Sequence, residues 1–234
     1  MNFIVRNIPN SITCMNLAAG VMAILSALHG PEPLWGLNGY EWSWIFIGIA
    51  AVADFFDGFA ARLLHAYSSL GKELDSLCDL VSFGVAPAVM MFRCLTETGA
   101  EPWTRWLVLL IPICGALRLA RFNIDTRQTT SFIGLPIPAN AIFWIGYAAL
   151  CLQHVSFLTQ WYVLVPLLLL ETWLMISPVP FFSLKFKTYG LKGNIWRWLM
   201  IVTTVVMVIC MGVSGLFWSI VTYALYSIID SRSR

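Results

Sequence analysis

Charge is what this sequence has least of. Its 14 lysines and arginines and 12 aspartates and glutamates amount to 11% of 234 residues, whereas an average soluble domain carries about 25%. With 59% of the residues hydrophobic, too few polar side chains remain to cover a water-soluble globule, which excludes that class. Basic runs are missing, as is any alternation of basic and aromatic residues, so no nucleic-acid partner is expected. The six cysteines (Cys14, Cys78, Cys94, Cys114, Cys151, Cys210) show no C-x-x-C spacing and lie in apolar stretches. They read as small buried side chains. His29, His65 and His154 are isolated, and none is expected to bind metal.

Long apolar runs are what the sequence does have. A membrane-spanning helix takes about 20 mostly apolar residues, and uninterrupted apolarity marks spans near 12–28, 43–62, 76–95, 104–121, 138–153, 159–177, 196–211 and 213–229. The expected architecture is an all-α, polytopic bundle of about eight spans, forming one integral membrane domain over 1–234. The run 196–229 is too long for one crossing and is split around Gly212–Gly215, which leaves open a hairpin or one tilted helix with an interfacial piece.

Eight crossings put both ends on one side of the membrane. With that side inside, the inner segments hold Arg6, Arg62, Lys72, Arg118, Arg121, Arg127, Lys185, Lys187, Lys192, Arg197, Arg232 and Arg234, and the outer ones only Arg93 and Arg105. By the positive-inside rule both termini are cytoplasmic. Trp35, Trp42, Trp44, Trp103, Trp106 and Trp161 fall near outer ends, as an interfacial aromatic belt does. Lys185, Lys187 and Lys192 have no motif around them and fit orientation or attraction to anionic lipid.

Four acids stand inside or at the edge of spans two and three: Asp54, Asp57, Asp75 and Asp79. Each would cost about 2.5–3.5 kcal/mol at the centre of a lipid-facing helix, so they must face inward or be neutralised. Spacings of three and four put each pair on one helix face, and the short connection 63–73 lets the two faces meet at the cytoplasmic end. Clustered carboxylates are hard oxygen ligands suited to Mg²⁺, Mn²⁺ or Ca²⁺, and two such ions can serve a displacement at phosphorus. Gly58, Ala60 and Ala61 let a phosphate approach the backbone, and Arg62 can pair with it. Close packing and snorkelling explain these small and basic residues singly, but not four acids beside them.

Read together, the residues are Asp54-x-x-Asp57-Gly58-x-x-Ala61-Arg62, eight residues, then Gly71-x-x-x-Asp75-x-x-x-Asp79. This resembles the signature of the CDP-alcohol phosphotransferase family at every fixed position. Residues 8–16, 75–88, 115–123 and 134–139 further resemble that family's serine-accepting branch, the likeness reaching from about residue 6 to 140. The resemblance implies transfer of a phosphatidyl group from CDP-diacylglycerol to L-serine with release of CMP. It implies divalent metal, Mg²⁺ or Mn²⁺ and two ions, on Asp54, Asp57 and Asp75, with Asp79 as ligand or general base, and a homodimer in the cell membrane. Gly58, Ala61, Arg62, Ser68 and Gly71 would receive the cytidine diphosphate. Arg118 and Arg121, three apart at the cytoplasmic end of span four, are expected to clamp the serine carboxylate or a phosphate oxygen, with Ser82 and Asn123 as lesser candidates. Glycerol 3-phosphate or an inositol compound is the alternative acceptor. Outside the family, the alternative is a divalent-cation channel or transporter that uses the aspartates as its ion path.

Overall fold

The computed structural model describes residues 3–125, 131–153, 156–183, 190 and 194–233, and only the backbone at 3–6, 131, 156, 232 and 233. Arg127, His154, Lys185, Lys187, Lys192 and Arg234 therefore lie outside the described residues, as do the side chains of Arg6 and Arg232.

Helix α1 (Phe3–His29) and helix α2 (Gly39–Leu63) form an antiparallel pair joined by a short hairpin, β1 (Pro33–Leu34) and β2 (Leu37–Asn38). Asn38 starts α2 with a capping box: its side chain accepts from Glu41 N at 2.9 Å, and Glu41 Oε2 accepts from Asn38 N at 2.9 Å. Small residues let the two backbones approach, as membrane helices require. Ala19, Ala23 and Ala27 are buried on α1, and Ser43, Ala50 and Ala53 on α2. The buried stripe of α2 continues one turn further to Asp57. Helical periodicity alone thus turns that carboxylate toward α1.

The third rod begins earlier than apolarity suggests. Helix α3 (Ser69–Asp79) is capped by Ser68, whose hydroxyl accepts from Gly71 N at 2.9 Å. Lys72 and Glu73 in its exposed first turns hide this start from a reading by hydropathy. A π-helical turn (Leu80–Val85) follows without a break, then helix α4 (Ala86–Glu97). The connection expected over 63–73 is accordingly only 64–68. The fourth rod joins the short helix α5 (Pro102–Trp106), a 3₁₀ turn (Leu107–Leu109) and helix α6 (Leu110–Ile124).

Helices α7 (Ile137–Leu152) and α8 (Trp161–Ile176) are shorter. A two-stranded ribbon, β3 (Ser131–Ile133) with β4 (Pro180–Phe182), ties the segment after α6 to that after α8. Gly134 makes this approach possible at φ +80°, because a Cβ there would lie 2.3 Å from the Met175 carbonyl oxygen. Helix α9 (Ile195–Met211) turns back at Gly212, φ +64°, into helix α10 (Gly215–Ser233). The Ser219 hydroxyl reaches Met207 Sδ at 3.9 Å, too close for one straight helix at 1.5 Å rise per residue. The 196–229 run is therefore a hairpin. The protein is an all-α, multi-pass membrane protein in which the expected apolar spans are all helical, and its buried apolar residues form one cluster reaching from Ala19 to Tyr223.

Candidate active site

Asp54 and Asp57 sit near the C-terminal end of α2, and Asp75 and Asp79 on α3, where the short 64–68 connection folds the two helices together. Among the described residues, one carboxylate oxygen from each of Asp54, Asp57 and Asp75 lies within 4.8 Å of the other two. Asp57 is buried and the other two half-buried. Asp57 Oδ2 and Asp75 Oδ1 are buried and have no hydrogen-bond partner. Carboxylate oxygens so close together repel, and a buried acceptor left unsatisfied costs about 1–3 kcal/mol or more when charged. The donor set, three hard oxygen ligands of which Asp57 and Asp75 each keep a buried unsatisfied oxygen, fits a divalent cation of the Mg²⁺, Mn²⁺ or Ca²⁺ type.

Asp79 stands apart from this triad. It is buried, and its Oδ1 accepts from Asn16 Nδ2 of α1 at 3.0 Å. It lies within electrostatic range of Asp54, Asp75 and Asp57. Asn16 is fully buried, and its backbone carbonyl accepts from the Ser82 hydroxyl at 3.0 Å. Asn16 thus grips the chain on either side of the point where α3 becomes the π-helical turn. Gly20, one turn further along α1, leaves room for this contact, since a Cβ there would fall 2.2 Å from Ser82 Oγ.

Beside the triad opens a cleft of about 460 Å³ lined by Asp54, Asp57, Asp75, Gly58, Ala61, Arg62, Ser68 and Gly71. The three aspartates and all five residues expected to take the cytidine diphosphate therefore line one cleft. Gly58 is exposed, and a Cβ on it would meet nothing within 4 Å. Its bare backbone faces open space. Asn10 and Thr13 of α1 line the same cleft, with Tyr67 and Lys72. Sequence reasoning gave these four no role in the site, nor Asn16. The signal was present for Asn10, Thr13 and Asn16, which recur every three residues on one face of an apolar span, where a polar group needs a partner.

The residues proposed for the acceptor separate into two groups. Arg118 and Arg121 of α6 line a second cleft of about 500 Å³ with Asp125, Ile133, Met175, Ile176 and Ser177, floored by the ribbon and the end of α8. Arg118 is buried, stacks at 5.4 Å over the Phe122 ring, faces Asp79 and Asp54 electrostatically, and has no partner on Nε. Its Nε is an orphaned donor within electrostatic reach of Asp79. Arg121 is exposed and donates Nη1 to the Ile176 carbonyl at 2.9 Å. Ser82 and Asn123 line neither cleft. Ser82 is fully buried against Asn16, and Asn123 clasps α6 to α3, donating to Ser76 Oγ at 2.9 Å while its carbonyl accepts from Lys72 Nζ at 2.7 Å.

Residues 6–207 match the family described as CDP-alcohol phosphatidyltransferase. Over 154 residues the chain is 41% identical to a CDP-diacylglycerol--serine O-phosphatidyltransferase of Mycobacterium leprae, covering 62% of this chain and 48% of that protein. Over 151 residues it is 40% identical to a Bacillus subtilis protein of the same name, covering 64% and 75%. An archaetidylserine synthase of Methanothermobacter thermautotrophicus is 33% identical over 144 residues, covering 58% and 54%. The chain spans about half the length of the mycobacterial and archaeal relatives.

Proposed function

The chain belongs to the CDP-alcohol phosphatidyltransferase family, and from that premise we propose that it transfers the phosphatidyl group of CDP-diacylglycerol to L-serine, giving phosphatidylserine and CMP. The observation that carries the reading is the shared lining of the first cleft, where three mutually close aspartates adjoin an exposed glycine backbone and Arg62. Asp54, Asp57 and Asp75 would hold divalent metal, Mg²⁺ or Mn²⁺, and two ions shared with Asp79 are proposed. When bound, such ions would neutralise the diphosphate and the charge developing on CMP.

The chain's own residues do the rest. Gly58, Ala61 and Gly71 leave backbone open to the diphosphate, Ser68 adds a hydroxyl, and Arg62 pairs with a phosphate oxygen. Asp79 takes the proton of the serine hydroxyl as its oxygen bonds to phosphorus, while the phosphorus–oxygen bond to CMP breaks. The Asn16 amide holds Asp79 Oδ1, so Oδ2 is the oxygen assigned to that proton. Arg118, with its Nε unpartnered and within electrostatic reach of Asp79, binds the serine carboxylate, with Arg121 lining the same second cleft. The diacylglycerol tails stay in the bilayer beside α2, whose outer face carries exposed Val52, Phe55, Phe56 and Phe59.

The site and both termini are proposed to face the cytoplasm, in a single membrane domain that forms a homodimer. Supporting the orientation, Arg62, Lys72, Arg118 and Arg121 gather at the aspartate end, whereas Arg93 packs at Gly30, beyond the other end of α1. Purified protein given CDP-diacylglycerol, Mg²⁺ or Mn²⁺ and a panel of alcohols tests the reaction. CMP release with L-serine is expected. Release only with glycerol 3-phosphate or an inositol compound overturns the acceptor, and ion flux in liposomes without CMP release on any alcohol overturns the enzyme reading.

A further inference from the structure

Two stretches of the sequence remain without a job in this mechanism: 80–88, which follows Asp79, and 134–140, which opens α7. The structure joins them. Pro87, in the first turn of α4, has no N–H, so the carbonyl of Phe83 cannot receive its ordinary α-helical bond from that position. In a membrane bundle no water is at hand to replace it. The side-chain amide of Asn140 stands in that place, donating Nδ2 to the Phe83 carbonyl at 2.9 Å across 57 residues of chain.

The amide is itself held. Asn140 Oδ1 accepts from Trp144 Nε1 at 2.9 Å, and the same indole N–H reaches Glu171 Oε2 of α8 at 3.3 Å. Asn140 and Trp144 are fully buried and Glu171 nearly so. An ionisable residue at that depth needs a purpose, and here it helps set the direction of the amide. Gly84, next to Phe83, lies against α6, where a Cβ would meet Pro112 Cα in ordinary contact at 3.4 Å. From the opposite side, the Ser82 hydroxyl is fixed on Asn16. The π-helical turn Leu80–Val85 is thus held by hydrogen bonds from α1 and α7 and packed against α6.

We propose that Asn140 is a positioning residue for Asp79, acting through this turn. A π turn holds one residue more than an α turn, so relaxing it to α geometry rotates the preceding segment by about 100° against the following one. Helix α4 is packed into the core through Met90, Met91, Cys94 and Leu95, whereas α3 buries only Cys78 and Asp79 and is the end with less packing to hold it. Asp79, the first residue before the turn, would swing off Asn16. Asp75 and Gly71, on the same helix, would move with it, whereas Asp54 and Asp57, on α2, would stay. Losing Asn140 therefore impairs the proton-accepting carboxylate together with the α3 side of the donor site.

The inference rests on the reading of Asp79 as the base, and the experiment separates the two. Steady-state CMP release is measured with L-serine for wild type, Asn140→Leu and the double variant Asn140→Leu/Pro87→Ala, together with thermal midpoints in detergent. Asn140→Leu is expected to lower kcat at least tenfold and, because Asp75 moves with Asp79, to raise KM for CDP-diacylglycerol. Pro87→Ala returns an N–H to the Phe83 carbonyl, so the double variant is expected to recover the thermal midpoint and to keep the low kcat, because the recovered bond favours the α register. If Asn140→Leu does not fold, the double variant alone is decisive. Wild-type kcat in either variant overturns the proposal, since satisfying or omitting a buried carbonyl would then be all that Asn140 does. A wild type silent with every alcohol removes the reaction and this inference together, whereas an active wild type with an equally active Asn140→Leu removes this inference alone.

Discussion

Asn16 Nδ2 donates to Asp79 Oδ1 across 3.0 Å, although 63 residues of chain lie between them. Both residues are buried, and the bond crosses from α1 to the end of α3. It sets Asp79 apart from Asp54, Asp57 and Asp75, whose carboxylate oxygens face one another within 4.8 Å.

That difference predicts distinct phenotypes. A hydrogen bond to a charged group contributes about 1.5–3 kcal/mol, so Asn16→Leu should lower kcat for CMP release roughly tenfold or more, with KM for CDP-diacylglycerol nearly unchanged. Steady-state kinetics on the purified variant measures both. A raised KM at normal kcat would place Asn16 in donor binding.

The triad should instead report on metal. Added Mn²⁺ is expected to raise the thermal midpoint of the wild type, because a ligand that binds only the folded state stabilises it. Asp57→Asn, which removes a carboxylate whose Oδ2 is buried and unpaired, should lose both that shift and CMP release. Chelator should silence the wild type, and Mg²⁺ or Mn²⁺ should restore it.

Gly58 offers a substitution that the fold ignores and the ligand does not. Its Cβ direction is empty to 4 Å, so Gly58→Leu should leave the thermal midpoint in place while filling the cleft. KM for CDP-diacylglycerol should rise by about tenfold or more. A midpoint that falls with activity would mean that the site is a packing position.

Arg118 and its orphaned Nε should govern the acceptor. Arg118→Leu is expected to raise KM for L-serine by about tenfold or more, the scale of one lost charge-assisted hydrogen bond, while KM for CDP-diacylglycerol holds. Arg118→Lys should recover part of it, since a point charge replaces the planar fork.

Gly146 tests the bundle rather than the site. A Cβ there would lie 2.1 Å from Phe217 N, so the backbones of α7 and α10 touch. Gly146→Ala should cost about 1–3 kcal/mol by overpacking and lower the thermal midpoint, with CMP release per folded molecule preserved at low temperature.

The sequence by itself determined the solvent, the number of apolar rods and the acidic cluster. Scarce charge cannot cover a soluble surface, and carboxylates inside a span are too costly to face lipid, so Asp54, Asp57, Asp75 and Asp79 were legible from spacing alone. Helical periodicity also brought Gly58, Ala61 and Arg62 to the same cleft. Only the tertiary structure decided which aspartates face one another and which is held by an amide, because Asn16 and Asp79 meet through the packing of α1 on α3 and not through any local pattern. It also decided that Ser82 and Asn123 bind the protein's own backbone and side chains, since a short polar group at a helix junction carries no mark of which neighbour will claim it. The link from Pro87 through Phe83 to Asn140 lay equally out of reach: a missing N–H announces an orphaned carbonyl, but only the folded bundle says who answers it.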